Sequence, residues 1–487
     1  MGVLDQLEPK SVMHWFEEIS SIPRGSLKEE KIAAFIMDFA AKRGLDCSED
    51  AYHNVVVRKN ASPGKEDRPG LIFQSHMDMV CAKDQGVQHD FEKDGLALYV
   101  EDDKIRAKGT TLGADNGIGV AYQLAILDDD QLEHPSIEVV FTTAEEVGMV
   151  GASHFDAGQL KGTNMINFDA GGFTEGRIYV GCAGNQSGKL VQKIAWEPAC
   201  GANNPLRITV GGLCGGHSGG DIAKGRGNGS VILGRILAWL SEAGEKRIAS
   251  FGSGDHSQEN KNGIPAECFV VLYPKSPEAL RQQAKDWETK LKDELSDVDE
   301  GVKVSVTEEN AGAQSCLSYE SVERTTQILA LLPNGVQSMQ RAFPDTPECS
   351  CNIGNVELEG DAVVCYISVR SCKGSLIDQM CGKYRAVAEL TGCALTFRDR
   401  LPGWDYDRDS RLRRLVDKEY NERFGSAPRF KVTHASTECG MFKEQLPHMD
   451  IISMGPIIYE EHTPREYMRI QSVGVVWEFV KGIISQL

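Results

Sequence analysis

Apolar residues recur at helical spacing over residues 10–20 and 28–43, which predicts two amphipathic helices. A short apolar run at 71–74 then ends in polar Ser75-His76-Met77-Asp78. Residues 117–128 (GIGVAYQLAILD) read as a helix, with Asp115 or Asn116 placed to cap it. Residues 136–143 (SIEVVFTT) read as a strand running into Glu145-Glu146, and 165–168 as another that stops at Asp169. Strands alternating with helices predict an α/β unit around a mostly parallel central sheet. In such sheets ligands gather beyond the C-terminal ends of the strands. His76, Asp78, Glu145, Glu146 and Asp169 all stand there.

The pattern changes after about residue 185. Strands are predicted within 187–213, a helix at 228–243, strands at 247–252 and 266–273, and a charged helix at 276–296. A similar order recurs: helix 318–332, strands 353–358 and 362–370, helix 375–390, strand 393–398. This reads as two consecutive α+β units of similar make. Leu401-Pro402-Gly403-Trp404 reads as a linker, and the first style then resumes. It gives a helix at 409–424, a strand at 429–432, a short helix at 437–443, a strand at 450–454 and a last helix at 470–485. The economical organisation is a discontinuous α/β domain, 1–185 and 403–487, with an α+β domain of two similar halves, 186–402, inserted at a surface loop.

Composition narrows the class. The chain has 487 residues, 41% apolar and 25% charged, as in ordinary globular proteins, so disorder, collagen-like fibres and coiled-coil rods are disfavoured. Lys plus Arg number 52 against 71 Asp plus Glu, a formal charge of −19. An anionic surface argues against nucleic acid or an acidic membrane as the partner. It leaves room for some carboxylates to be metal ligands. The 14 cysteines are thinly scattered, several in apolar runs such as AECFVVLY and AVVCYISV, and read as free buried thiols of a reducing compartment. Cys349 and Cys351 have no second pair at zinc-finger spacing. The N-terminal residues lack a basic stretch followed by an apolar core, Gln6 stands where a myristoylation signal needs Ser or Thr, and no stretch of 18 apolar residues occurs. The expectation is a cytoplasmic, soluble, multi-domain protein.

Taken singly, the polar strand ends say little. His76 and Asp78 face the same way on an extended chain, Asp115 reads alone as a cap or turn residue, Asp169 as a turn residue, and His462 sits in a polar loop. Adjacent Glu145 and Glu146 are uncomfortable in a cleft without a cation. As a set they suit a site for two divalent cations, which needs nitrogen and oxygen donors and one shared bridge. Zinc fits such mixed donors, with cobalt or manganese as substitutes. Two cations bring +4, balanced by three carboxylates and one hydroxide.

The motifs resemble those of a known family. HMDMV (76–80), LGADNGIG (112–119), TAEEVGMVGA (143–152), NFDA (167–170), GGHSGG (215–220), HASTECGMF (434–442) and GPIIYEEHTPRE (455–466) follow one another as in zinc-dependent dipeptidases and aminoacylases. The chain is similar throughout to the bacterial aminoacyl-histidine dipeptidases, also called Xaa-His or cytosol nonspecific dipeptidases. The resemblance implies two zinc ions, a small peptide substrate hydrolysed by a metal-bound hydroxide, and admits a homodimer. It implies His76 and Asp169 as ligands of one metal, Glu146 and His462 as ligands of the other, and Asp115 as the bridge. Asp78 then orients His76, and Glu145 is the general base.

In the inserted region, the glycines around His217 read either as a flexible loop or, by resemblance, as a lid whose histidine supports the oxyanion of the scissile carbonyl. Arg370 reads either as a snorkelling strand cation or as a clamp on the substrate's C-terminal carboxylate. Asn262, in Lys-Asn-Gly where relatives have Arg-Asn-Ala, resembles a lid asparagine that binds substrate. Glu438 resembles a glutamate that holds the free amino end. An aminotripeptidase or an N-acyl-amino-acid hydrolase is the nearest alternative. Gly216-His217-Ser218-Gly219-Gly220 also matches G-x-S-x-G, so a serine hydrolase using Ser218 is a remote one. There is no G-x-x-x-x-G-K-[ST] phosphate loop.

Overall fold

The structure is a computed structural model, and it describes residues 2–198, 204–255, 261–309, 315–398 and 400–487. Two compact units are present. One comprises Met1–Cys182, Trp404–Val432 and Thr437–Leu487; the other comprises Ala183–Gly403 and Thr433–Ser436.

The first unit is built on an eight-stranded mixed sheet. Its order is Asp46–Glu49, Val55–Lys59, Ile137–Thr142, Leu71–His76, Asn164–Asn167, Asp450–Ser453, Arg177–Cys182, Arg429–Thr433. The four central strands, from Ile137–Thr142 to Asp450–Ser453, are mutually parallel, and the observed flanking pairs are antiparallel. Leu71–His76, Ile137–Thr142 and Asn164–Asn167 are buried at every position. Central parallel strands are covered on both faces, so their sequences lack the alternation of a half-exposed strand. The helix Ala114–Asp128 is likewise buried at every residue from Asn116 to Leu127. Asp115 and Asn116 depart from helical dihedrals, so the regular helix begins at Gly117, and no side-chain bond caps it. The expected Asp115 or Asn116 cap is therefore absent. The carboxylate of Glu466 takes the N–H groups of residues 112–115, just before that helix. A smaller four-stranded sheet, Ile458–Tyr459, Tyr467–Arg469, Lys104–Ala107 and Leu98–Glu101, carries the loop that holds His462.

The second unit centres on a nine-stranded sheet. Its main order is Lys303–Glu308, Leu206–Gly211, Cys268–Leu272, Ile248–Ser253, Pro347–Glu359, Ala362–Ser371, Gly184–Lys193, Ala394–Phe397, with Gly335–Met339 paired to Pro347–Glu359. All the observed pairs are antiparallel. Two halves share one plan, strand–helix–strand–strand–helix–strand. The first uses Leu206–Gly211, Gly229–Glu242, Ile248–Ser253, Cys268–Leu272, Pro277–Glu294 and Lys303–Glu308. The second uses Gly184–Lys193, Tyr319–Leu331, Pro347–Glu359, Ala362–Ser371, Gly374–Thr391 and Ala394–Phe397. In each the sheet order is fourth, first, third, second, and the two second strands meet at Ser253 and Val356. The halves are similar but not consecutive, which corrects the sequence reading. The second half takes its first strand from residues before the first half, because Gly184–Lys193 pairs with Ala362–Ser371 and not with the neighbouring Leu206–Gly211.

The described cysteines are free thiols, most of them buried. Among the described residues no helix is long and apolar enough to cross a membrane.

Candidate metal centre

Three adjacent parallel strands end at one place. His76 is the last residue of its strand and stands opposite Thr142 of the next, while Gln74 stands opposite Asn167 on the other side. Asp78, Glu145, Glu146 and Asp169 follow within a few residues of those ends. Asp115 enters from the non-helical start of the Ala114–Asp128 segment, and His462 from the loop of the smaller sheet.

The donors fall into two groups that share one carboxylate. Asp115 Oδ1 lies 3.2 Å from His76 Nε2, and Asp115 Oδ2 lies 3.3 Å from His462 Nε2. His76 Nε2 is also 3.6 Å from Asp169 Oδ1, and His462 Nε2 is 3.1 Å from Glu146 Oε1. Two ligands of a tetrahedral zinc with bonds of 2.0–2.1 Å are separated by about 3.3 Å. The observed donor separations match such edges. One atom each of His76, Asp115 and Glu146 lie mutually within 4.8 Å, so these residues form a candidate metal site. Every donor is a nitrogen or oxygen, as zinc, cobalt or manganese accepts.

The surrounding backbone is built to hold these atoms. His76 Nδ1 faces the Asp78 carboxylate at 3.3 Å, and Nε2 turns to Asp115 and Asp169. Asp78, with no exposed surface, also accepts from Ser26 Oγ (2.8 Å) and from the N–H groups of Glu145 (3.0 Å) and Glu146 (3.3 Å). Buried Glu29 accepts from Ala144 N (2.8 Å). Ala144 and His462 both have positive φ, 50° and 64°, a strained region for residues with a Cβ.

Charge in the site is one-sided. Burial raises the Glu145 pKa to about 9, His76 opposing and Asp169, Glu438 and Glu146 adding to the rise. Burial also raises Asp169. Asp115 goes the other way, because bonds to His462 and His76 outweigh its burial. His76 is buried too, yet Asp115, Asp169 and Asp78 hold it well above the usual histidine range. His462 is pushed up to about 11 by Asp115 and Glu146. The carboxylates thus draw positive charge to the two positions between the donors. A cavity of about 370 Å³ opens beside Asp115, Asp169 and His462.

Glu438 is also here, but with no exposed surface. Its Oε2 accepts from Gln74 Nε2 (2.6 Å) and Thr142 Oγ1 (2.7 Å), and Gln74 accepts from Asn167 Nδ2 (2.5 Å). This ties three strand ends together. It places Glu438 Oε2 in a buried network and leaves Oε1 without a hydrogen-bond partner among the described residues.

In the second unit, Arg370 and His217 are brought together. Arg370 Nη2 lies 3.3 Å from His217 Nε2, Arg370 Nε donates to Ser218 Oγ (3.3 Å), and Nη1 donates to Ser436 Oγ (3.4 Å). His217 Nδ1 accepts from Gly220 N (3.1 Å), and burial followed by Arg370 lowers the His217 pKa. Arg370 Nη2 faces Nε2 and Gly220 N–H faces Nδ1, so both ring nitrogens stand opposite donors. Asn262 stands at a separate cavity of about 220 Å³, with Lys189, Tyr366 and Arg398. Ser218 is buried and bonded to a guanidinium, and the element that follows it directly is the 3₁₀ turn Ile222–Lys224, with the helix Gly229–Glu242 beginning eleven residues on. This is not the strand–nucleophile–helix geometry of a serine hydrolase.

Arg24, Glu29 and Glu466 were not among the residues singled out from the sequence. Their targets are backbone atoms, which leave no side-chain pattern; Glu466 at least lies inside the HTPRE string.

The model of peptidase family M20/M25/M40 matches residues 72–486. The cytosol non-specific dipeptidase of Escherichia coli is 33% identical over 489 residues, covering 100% of this chain and 99% of that protein. The crystal structure of aminoacylhistidine dipeptidase from Vibrio alginolyticus superposes with a TM-score of 0.90 at 35% identity, covering 99% of this chain and 98% of that one. A tripeptidase from Staphylococcus aureus shares the fold, with a TM-score of 0.59 at 16% identity over 98% of both chains. Metal dependence is the norm in the matched family. On the family match and the full-length relatives together, the chain belongs to peptidase family M20/M25/M40.

Proposed function

We propose that the chain is a zinc-dependent dipeptidase. The observation that carries this reading is Asp115, which presents one carboxylate oxygen to each of two histidines, each beside a further carboxylate. His76 and Asp169 would hold one ion, Glu146 and His462 the other, and Asp115 both. Two such ions, when bound, polarise a carbonyl and acidify water. Glu145 takes the proton from the attacking water and delivers it to the departing amine. Asp78 keeps His76 in the right tautomer and holds the Glu145–Glu146 turn through its two N–H groups. Arg370, with His217 beside it, offers its guanidinium donors to substrate oxygen, a terminal carboxylate or the developing oxyanion. The first compact unit is read as the catalytic domain and the second as the lid. Free thiols and the name of the Escherichia coli relative support a cytosolic setting.

The test is chelation followed by add-back of zinc, cobalt or manganese, assayed on a panel of dipeptides, a tripeptide and N-acyl amino acids. Metal-restored cleavage of dipeptides alone is expected. Activity that survives chelation, or that favours the tripeptide or the acyl substrates, overturns the reading.

A further inference from the structure

Two buried side chains that supply no metal donor hold the backbone from which the donors project. Arg24 is 2% exposed. Its Nη1 donates to the carbonyls of Met77 (3.2 Å) and Asp78 (3.3 Å), and its Nη2 to the carbonyl of Gly113 (2.5 Å). One guanidinium thus joins the end of the His76 strand to the loop that carries Asp115. A Cβ on Gly113 would come within 2.6 Å of Arg24 Nη2, and one on Gly117 within 2.5 Å. Gly113 and Gly117 of LGADNGIG leave room for this segment to lie against the guanidinium.

Glu466 grips the same loop from its other side. It is 2% exposed, and its Oε2 accepts from the N–H groups of Leu112 (2.8 Å) and Gly113 (2.9 Å). Its Oε1 accepts from those of Ala114 (2.9 Å) and Asp115 (3.3 Å). Glu466 follows His462 by four residues, so its carboxylate joins the His462 segment to the loop. Three chain segments distant in sequence meet here, and each junction is made by one buried charge bonded to backbone.

We propose that Arg24 and Glu466 are positioning residues that lock loop 112–115 between the two histidine-bearing segments and so fix Asp115 midway between His76 and His462. The inference rests on the metal-centre reading above. Glutamine at 466 keeps the size but turns an NH₂ toward N–H groups that need an acceptor. Lysine at 24 keeps the charge but loses the planar fork that spans separate carbonyls. Partners that orient ligands without touching the metal typically contribute roughly 10–100-fold to metal affinity.

The experiment uses the full chain stripped of metal, with Glu466→Gln and Arg24→Lys beside the parent. Cobalt(II) is titrated against a competing chelator, and the visible cobalt spectrum reports the ligand geometry. The expected result is a native far-UV spectrum, a cobalt dissociation constant raised roughly tenfold or more, and an altered visible spectrum. A folded variant with the parent's cobalt affinity and spectrum overturns the proposal, even if it melts at a lower temperature. If Glu466→Gln fails to fold, Arg24→Lys and Gly117→Ala, whose Cβ presses on the guanidinium, carry the test. A parent that binds no cobalt defeats the metal-centre reading itself. A parent whose cobalt binding is abolished by His76→Ala but untouched by the loop variants defeats the clamp alone.

Discussion

Asp78→Asn exchanges one buried oxygen for an amide nitrogen, and the contacts of Asp78 set the cost. Oδ1 faces Glu145 N and His76 Nδ1, while Oδ2 faces Ser26 Oγ and Glu146 N. With the amide oxygen at the Oδ1 position, the new NH₂ meets the Glu146 N–H, donor against donor. Ser26 can turn its hydroxyl to accept. The flipped amide would oppose both Glu145 N–H and His76 Nδ1–H, which is worse. The first arrangement leaves one buried N–H without an acceptor, a cost of about 1–3 kcal/mol. The bond to His76 loses its ionic partner, and since bonds to charged groups contribute about 1.5–3 kcal/mol against about 1 for neutral ones, it weakens by about 1 kcal/mol. Denaturant unfolding of the metal-free protein should therefore show a loss of about 2–4 kcal/mol. Zinc affinity, measured by chelator competition, should fall roughly 10–100-fold. The two losses belong together, because one carboxylate holds both the ligand histidine and the Glu145–Glu146 turn. A destabilised variant with unchanged zinc affinity would refute the role assigned to Asp78.

The other predictions separate metal holding, proton transfer and substrate grip. Glu145→Ala should keep the parent's metal content and lose turnover by at least roughly 10²–10⁴-fold; normal dipeptide hydrolysis rules out Glu145 as the base. His76→Ala should lose zinc, checked by elemental analysis, and unchanged content contradicts the ligand set. Arg370→Lys should raise KM for dipeptides roughly tenfold or more by loss of the planar fork, with a smaller effect on kcat; an unchanged KM removes Arg370 from substrate binding. His434, 6% exposed, bonds to Ser350 Oγ at 2.7 Å and has its pKa lowered to about 3 by burial and then by Arg370. Between pH 6.5 and 3 the unfolded chain binds a proton that the folded one refuses, so stability falls as the pH falls, by about 3 kcal/mol at pH 4 from this group. His434→Gln should flatten the stability–pH curve over that window, and a curve parallel to the parent's counts against the assignment.

Much of the fold is visible in the sequence because the central elements are long and strongly patterned. The helices at 10–20, 276–296 and 470–485 and the strand at 136–143 lie within a few residues of their predicted limits. Short strands such as Asp46–Glu49 and Leu98–Glu101 escaped notice, since four partly exposed residues carry almost no periodic signal. The ligand candidates stood out because carboxylates and a histidine directly follow apolar runs. Asp115 and His462 gained meaning only from the motif order, because neither follows a strand of the main sheet. The surroundings of Glu438 were hidden, as no local pattern reveals that Gln74 and Thr142 on distant strands will bond to its Oε2.

The nested halves of the second unit bear on how this chain folds. All six elements of the first half lie between Leu206 and Glu308, so that half can collapse from nearby contacts. The second half cannot. Its strand Gly184–Lys193 waits unpaired until Ala362 and its successors arrive to meet it, across the whole of the first half. Such distant pairing pays the loop-closure cost before any contact rewards it and is slow. On a ribosome the early strand would be made first and completed last, with its backbone N–H and C=O groups unpaired in between. A permuted chain that starts at the first half, with Gly184–Lys193 moved next to its partner, would remove that wait.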